Sequence, residues 1–156
     1  MLDASQVNTI LDSVLDTIEA QAPAVAPFSV GTPEGVVLRG AYGSVVLGAL
    51  VSGDLDGKIT IILEWDLVTE IVAGVAHAKI ESFESEQRQW LYNLFGQATD
   101  QMARKLGTPD RKVTISALPM LVDSSVLFGR EGELGAIRLP VSSATGNLDV
   151  YLAFYG

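Results

Sequence analysis

Apolar residues recur every three to four positions in three stretches of this chain and alternate or run together in most of the others, so helices and strands separate by period. Val7, Ile10, Leu11, Val14, Leu15 and Ile18 make one face of a first helix over residues 3–19, with Pro23 and Pro27 beyond its end. Asp3 and Gln6 have the spacing of a capping box. The cluster Gly31-Thr32-Pro33-Glu34-Gly35 predicts a turn, followed by a short strand over 36–39. Longer strands are expected over 44–52 and 58–64, joined by a hairpin through Gly53-Asp54 and Asp56-Gly57. The runs Val45-Val46-Leu47 and Ala49-Leu50-Val51 are apolar on both faces, as in a central strand. Asp66 is placed to cap a second helix over 67–75, which carries Leu67, Val68, Ile71, Val72 and Val75.

The third helical pattern, residues 83–106, is the longest. On a wheel of about 100° per residue, Phe83, Trp90, Leu91, Leu94, Phe95, Ala98, Met102 and Leu106 form the apolar stripe. The opposite face holds Glu86, Gln89, Asn93, Gly96, Gln97, Asp100 and Arg104. A solvent-facing helix usually fills that side with Glu and Lys, which favour the helix and keep it soluble. Here amides surround a glycine that costs roughly 1 kcal/mol in a helix interior, a composition better suited to contact than to solvent. Ser82 is a candidate N-cap, Glu84 and Glu86 suit the positive end of the dipole, and Gly107 and Pro109 terminate the helix. Strands follow over 112–118, 126–128, 134–141 and 148–154, with turns at Asp123-Ser124, 129–132 and 144–147. Each half reads as a helix followed by antiparallel strands, which predicts a layered α+β fold with a mostly antiparallel sheet packed against long helices. One domain over residues 1–156 is expected.

Composition narrows the function. A chain of 156 residues with 48% apolar residues can build a full core. A net charge of −9 argues against nucleic acid, whose phosphates need clustered Lys and Arg, and against anionic membrane surfaces. There is no cysteine, which excludes disulfides, thiol nucleophiles and thiolate metal sites. Neither a signal-peptide pattern nor an apolar run of roughly 18 residues is found, so a cytoplasmic location is expected.

Conventional catalytic groupings are absent. His77 is the only histidine, and following Gly74 at the end of the second helix it more simply helps to terminate that helix. Asp54 and Asp56 read as turn residues rather than a Ca²⁺ site. Gly40-Ala41-Tyr42-Gly43 reads as a turn and not as a phosphate loop. Trp65 and Trp90 read as core anchors. The amides of the third helix are the exception, because a side-chain amide offers a donor and an acceptor on one plane. Such a group can orient water for in-line attack on phosphorus, as Gln does in GTP hydrolysis.

In the order and wording of its segments the chain resembles the CheC/CheX/FliY chemotaxis phosphatases, and CheX-like single domains above all. The likeness rests on the opening helix with Val7-Asn8, Ser13-Val14 and Thr17-Ile18, and on the hairpin around Gly53 and Gly57. It continues through the short helix after Trp65, the long helix ending Lys105-Leu106-Gly107, and Gly135-Ala136-Ile137-Arg138-Leu139-Pro140-Val141. The resemblance implies a long helix that presents a Glu-x-x-Asn pair to a phosphorylated CheY-type response regulator. The Glu pairs with the regulator's lysine, the Asn positions the hydrolytic water, and the regulator supplies Mg²⁺, so that the chain needs no cofactor of its own. It also implies a homodimer built by extending the sheet between subunits.

Registered on Lys105-Leu106, the family Glu falls on Asn93 and the family Asn on Gly96, so the signature pair is missing. Glu86 and Gln89 keep a carboxylate–amide spacing about 10 Å earlier along the helix. Gln97 or Gln89 is then the candidate replacement for the lost amide, and Asp100 and Arg104 are candidate partner contacts. Two expectations follow: a phosphatase with a rearranged site, or a catalytically silent relative that binds a regulator or itself. Loss of a preorganised donor costs on the order of 10²–10³ in rate elsewhere.

Overall fold

The computed structural model describes residues 2–37, 41–126 and 135–155. α1 is Ala4–Gln21, started by the predicted capping box: Gln6 N donates to Asp3 Oδ1 at 2.8 Å and Asp3 N to Gln6 Oε1 at 2.9 Å. A 3₁₀ turn at Pro23–Val25 follows. Strands β1 (Ser29–Val30), β2 (Glu34–Val37), β3 (Ala41–Gly53) and β4 (Asp56–Leu63) lead to α2 (Trp65–Ala76) and α3 (Ser85–Leu106). Strands β5 (Val113–Ala117), β6 (Leu121–Val126), β7 (Gly135–Ser142) and β8 (Asn147–Tyr155) complete the chain.

The strands form one antiparallel sheet in the order β1–β7–β8–β4–β3–β5, with β2 also paired to β7 and β6 also paired to β3. β3 is central, as its two apolar faces require. It pairs with β4 along one edge, from Val45 opposite Leu63 to Val51 opposite Gly57, and with β5 and β6 along the other. Val45, Leu47, Ala49, Val51, Ile59, Ile61, Leu63, Val150 and Leu152 point to the side where all three helices pack, forming the main core. Successive side chains of a strand alternate faces, so Val46 and Tyr151 lie on the far face, where Val36 and Ile62 pack against them.

Several sequence expectations are corrected. Asp66 does not cap α2; the N-cap is Glu64, whose carboxylate instead accepts bonds from Asn147 N (3.1 Å) and Nδ2 (3.3 Å). Nor does Ser82 cap α3. Glu84 does, through a reciprocal box with Gln87, so Phe83 lies outside the helix and meets Trp65 edge-on at 5.3 Å. Asp123 and Ser124 belong to β6, and positions 41–43 belong to β3, because cross-strand pairing there outweighs local turn propensity. β1 was not expected from the pattern. Of the strand expected at 126–128, Val126 is the last described residue of β6; positions 38–40, 127–128 and the turn at 129–132 fall outside the described residues.

Candidate functional site

α3 buries Leu91, Leu94, Phe95, Ala98, Thr99, Met102 and Leu106 and turns its other side outward. Glu86, Gln89, Asn93, Gln97, Asp100 and Arg104 are all exposed, and Gly96 is half-buried. No described part of the chain roofs this strip. A Cβ built at Gly96 meets nothing within 4 Å, so neither packing inside the chain nor a left-handed backbone requires glycine there. Its carbonyl accepts the Thr99 hydroxyl at 2.9 Å.

The amides of the strip divide into two groups. Gln21 Nε2, at the end of α1, donates to Gln97 Oε1 at 3.0 Å, and Thr17 Oγ1 lies 3.2 Å from Gln101 Oε1. Those two side chains are tied to α1 across a groove of about 490 Å³ lined by Asp16, Thr17, Gln97, Asp100 and Arg104 among others. Gln89 and Asn93 are tied only to each other, Gln89 Nε2 donating to Asn93 Oδ1 at 2.8 Å. Gln89 Oε1 and Asn93 Nδ2 stay available as one acceptor and one donor on the open face. Of the two candidate replacement amides, Gln97 already spends its carbonyl on α1, and Gln89 does not.

On the side toward β6, a smaller cleft of about 250 Å³ is lined by Ser85, Arg88, Gln89, Tyr92, Met120 and Val122. Arg88 was not among the sequence candidates. Its Nε donates to Phe83 O at 3.1 Å, and its guanidinium lies over the Phe83 ring, 5.6 Å from the centroid. The i, i+5 spacing gave no signal for this contact, because Phe83 was expected inside the helix.

The other candidate groups resolve structurally. His77 is the left-handed C-cap of α2 (φ 55°), its N–H reaching the carbonyls of Ala73 and Gly74. Asp54 Oδ2 accepts Lys112 N at 2.7 Å, a loop-fixing bond. Trp65 and Trp90 pack, half-buried, against the core. Among the described residues no cluster of three or more His, Asp or Glu is placed to hold a metal ion, and no helix is long and apolar enough to cross a membrane.

On the far face, Arg138 bridges Glu34 Oε2 and Asp149 Oδ1, each at 3.1 Å. Burial pulls the guanidinium down, but the facing Asp149 and the bonds to Glu34 and Asp149 outweigh it and raise its pKa. Burial, and then Asp149, push the Tyr151 phenol above its ordinary range, while Arg138 opposes that rise.

No protein-family model matches this chain, and neither does any curated protein. Solved structures do match over its whole length. Chemotaxis protein CheX from Vibrio vulnificus aligns over 97% of this chain and 100% of its own, with a TM-score of 0.82 and 18% identity. A CheC-like superfamily protein from Shewanella sp. PV-4 aligns over 99% and 100%, with a TM-score of 0.76 and 20% identity. CheX in a CheX–CheY–BeF3–Mg²⁺ complex from Borrelia burgdorferi aligns over 96% and 97%, with a TM-score of 0.69 and 15% identity. At these identities the likeness is one of fold: this chain has the α+β fold of CheX and CheC-like proteins.

Proposed function

We propose that this chain is a signalling protein of chemotaxis-type pathways that docks a CheY-type response regulator on the open face of α3. The observation that carries this reading is the unroofed strip around Gly96, where a helix-weakening residue is retained over empty space beside the exposed Glu86, Gln89 and Asn93. A bare Cα lets another chain approach closely, and contact with a partner is what would use it. The CheX–CheY complex supplies a precedent in the same fold. A cytoplasmic homodimer is part of the same proposal, with Mg²⁺ brought by the regulator.

Hydrolysis of the regulator's phospho-aspartate is a second reading, favoured by the Gln89–Asn93 bond. Together the two side chains offer the acceptor and donor that a water-positioning amide needs. Asn93 and Gly96 occupy the positions of the family's Glu and Asn, so the expected rate is low. The deciding experiment follows loss of radiolabelled phosphate from a CheY-type regulator with Mg²⁺, using wild type, Asn93→Ala and Gln97→Ala. Acceleration by wild type that falls with Asn93→Ala supports hydrolysis on this face, and acceleration that neither substitution changes places the active face elsewhere. Binding without acceleration leaves a silent docking module, and absence of binding overturns the docking reading itself.

A further inference from the structure

We infer that Arg88 is the charged anchor of the α3 docking face and that it receives the anionic phosphoryl group of the regulator. This inference rests on the docking reading above. Arg88 is exposed, yet it is held in place by two uncharged contacts, the Phe83 carbonyl on Nε and the Phe83 ring beneath the guanidinium. Neither contact uses the terminal Nη groups. Glu84, four residues earlier, would ordinarily be its helical ion-pair partner. That carboxylate is committed to the start of α3 instead, accepting the backbone N–H of Gln87. In a chain with 19 acidic and 10 basic residues, Arg88 therefore has no ion pair among the described residues.

Its surroundings specify the ligand. Arg88 lines the cleft with Ser85, Gln89 and Tyr92, all hydrogen-bonding side chains, over Met120 and Val122. Gln89 also belongs to the exposed amide pair, so guanidinium and amides form one continuous edge. A planar guanidinium presents paired donors that match two oxygens of a phosphoryl group. Because Phe83 already orders the side chain, less conformational entropy remains to be lost on binding. The occupant that fits is the phosphoryl-bearing rim of a CheY-type regulator, whose negative charge complements the fixed guanidinium of this edge. Docking should then depend on the regulator's activation state.

The test is calorimetric titration of the full chain with a CheY-type regulator, in Mg²⁺ alone and in Mg²⁺ with beryllofluoride as the phosphoryl mimic. Wild type should prefer the beryllofluoride form by about tenfold or more, the range of a hydrogen bond to a charged group. Arg88→Ala should remove most of that preference and leave affinity for the unmodified regulator nearly unchanged, and Arg88→Lys should restore only part. An Arg88→Ala protein with wild-type melting temperature that keeps the full preference overturns the assignment, with docking intact. Equal weakening of both forms overturns it too, by making Arg88 a general contact. Failure of wild type to bind either form removes the docking reading along with it.

Discussion

Arg138 lies between Glu34 and Asp149 on the face of the sheet away from the helices, whereas Arg88 lies on a phenyl ring at the start of α3. The first guanidinium has spent its charge inside the chain, in a bridge that joins β7 to β2 and to β8. The second has been positioned without being neutralised. The amides of α3 repeat the contrast: Gln97 and Gln101 answer to α1, while Gln89 and Asn93 answer only to each other. Polar groups that hold a fold together consume one another's hydrogen bonds. On the edge from Arg88 to Asn93 the side chains are instead held by contacts that leave the Arg88 Nη groups, Gln89 Oε1 and Asn93 Nδ2 unused, as the proposed docking requires.

The strongest way to break this contrast is to loosen the tied half. Gly74 in α2 faces the end of α1, and a Cβ there would sit 2.5 Å from Ala22 Cβ and 2.7 Å from Ala22 Cα. Gly74→Ala must push α1 away, as overpacking does at about 1–3 kcal/mol. The displacement should also break the Gln21–Gln97 bond. Denaturant unfolding would show the lost stability, and a wild-type midpoint would mean that the close approach of α1 and α2 is not tight.

Gly96→Ala should act in the opposite direction. Nothing occupies the space a methyl group would take, so the helix gains the roughly 1 kcal/mol that glycine forfeits. The melting temperature should rise by a few degrees, while affinity for the regulator falls because the bare Cα is covered. A more stable variant that binds as well as wild type would show that Gly96 is not a point of contact.

These two glycines mark how far the sequence can be read. The central strand, the α1 capping box and the amide strip are visible because each is local: a run, a spacing or a wheel. The role of Gly74 is not, since it depends on where Ala22 arrives. The start of α3 is ambiguous in the sequence because Ser82 and Glu84 both precede most of the apolar stripe, and only the reciprocal bond to Gln87 decides between them. That shift of the helix start is what frees Phe83 to lie under Arg88. Likewise Asp123-Ser124 has turn chemistry, yet Ser124 pairs with Gly43 in the sheet. The Gln89–Asn93 bond was within reach at i, i+4, but nothing local shows that Gln97 has a partner on α1.

Truncating the two arginines sharpens the comparison at a smaller scale. Arg138→Ala leaves Glu34 and Asp149 without their shared cation at positions that are partly exposed, so a cost of about 0.5–1 kcal/mol is expected. Arg88→Ala should stay within about 0.5 kcal/mol of wild type, as surface substitutions do, because among the described residues the guanidinium supports no other charged group. Equal losses from the two would mean that Arg88 is structural after all.

The smallest effect is electrostatic and confined to the far face. The Tyr151 phenol is raised above its ordinary 10.0 first by burial and then by Asp149, and Arg138 works against both. A phenol whose folded pKa exceeds its unfolded value binds its proton more tightly in the native state. Its contribution to stability is complete below about pH 10 and disappears as pH climbs through the folded value. Arg138→Ala removes the one group that favours the phenolate, so the Tyr151 step in tyrosinate absorbance should move to still higher pH. Arg88→Ala should leave that step where it is, since its charge is absent from the groups that shift Tyr151. A Tyr151 step that fails to move with Arg138→Ala would mean that the far-face bridge does not set the local field, and the distinction between a spent and a spare arginine would then rest on stability alone.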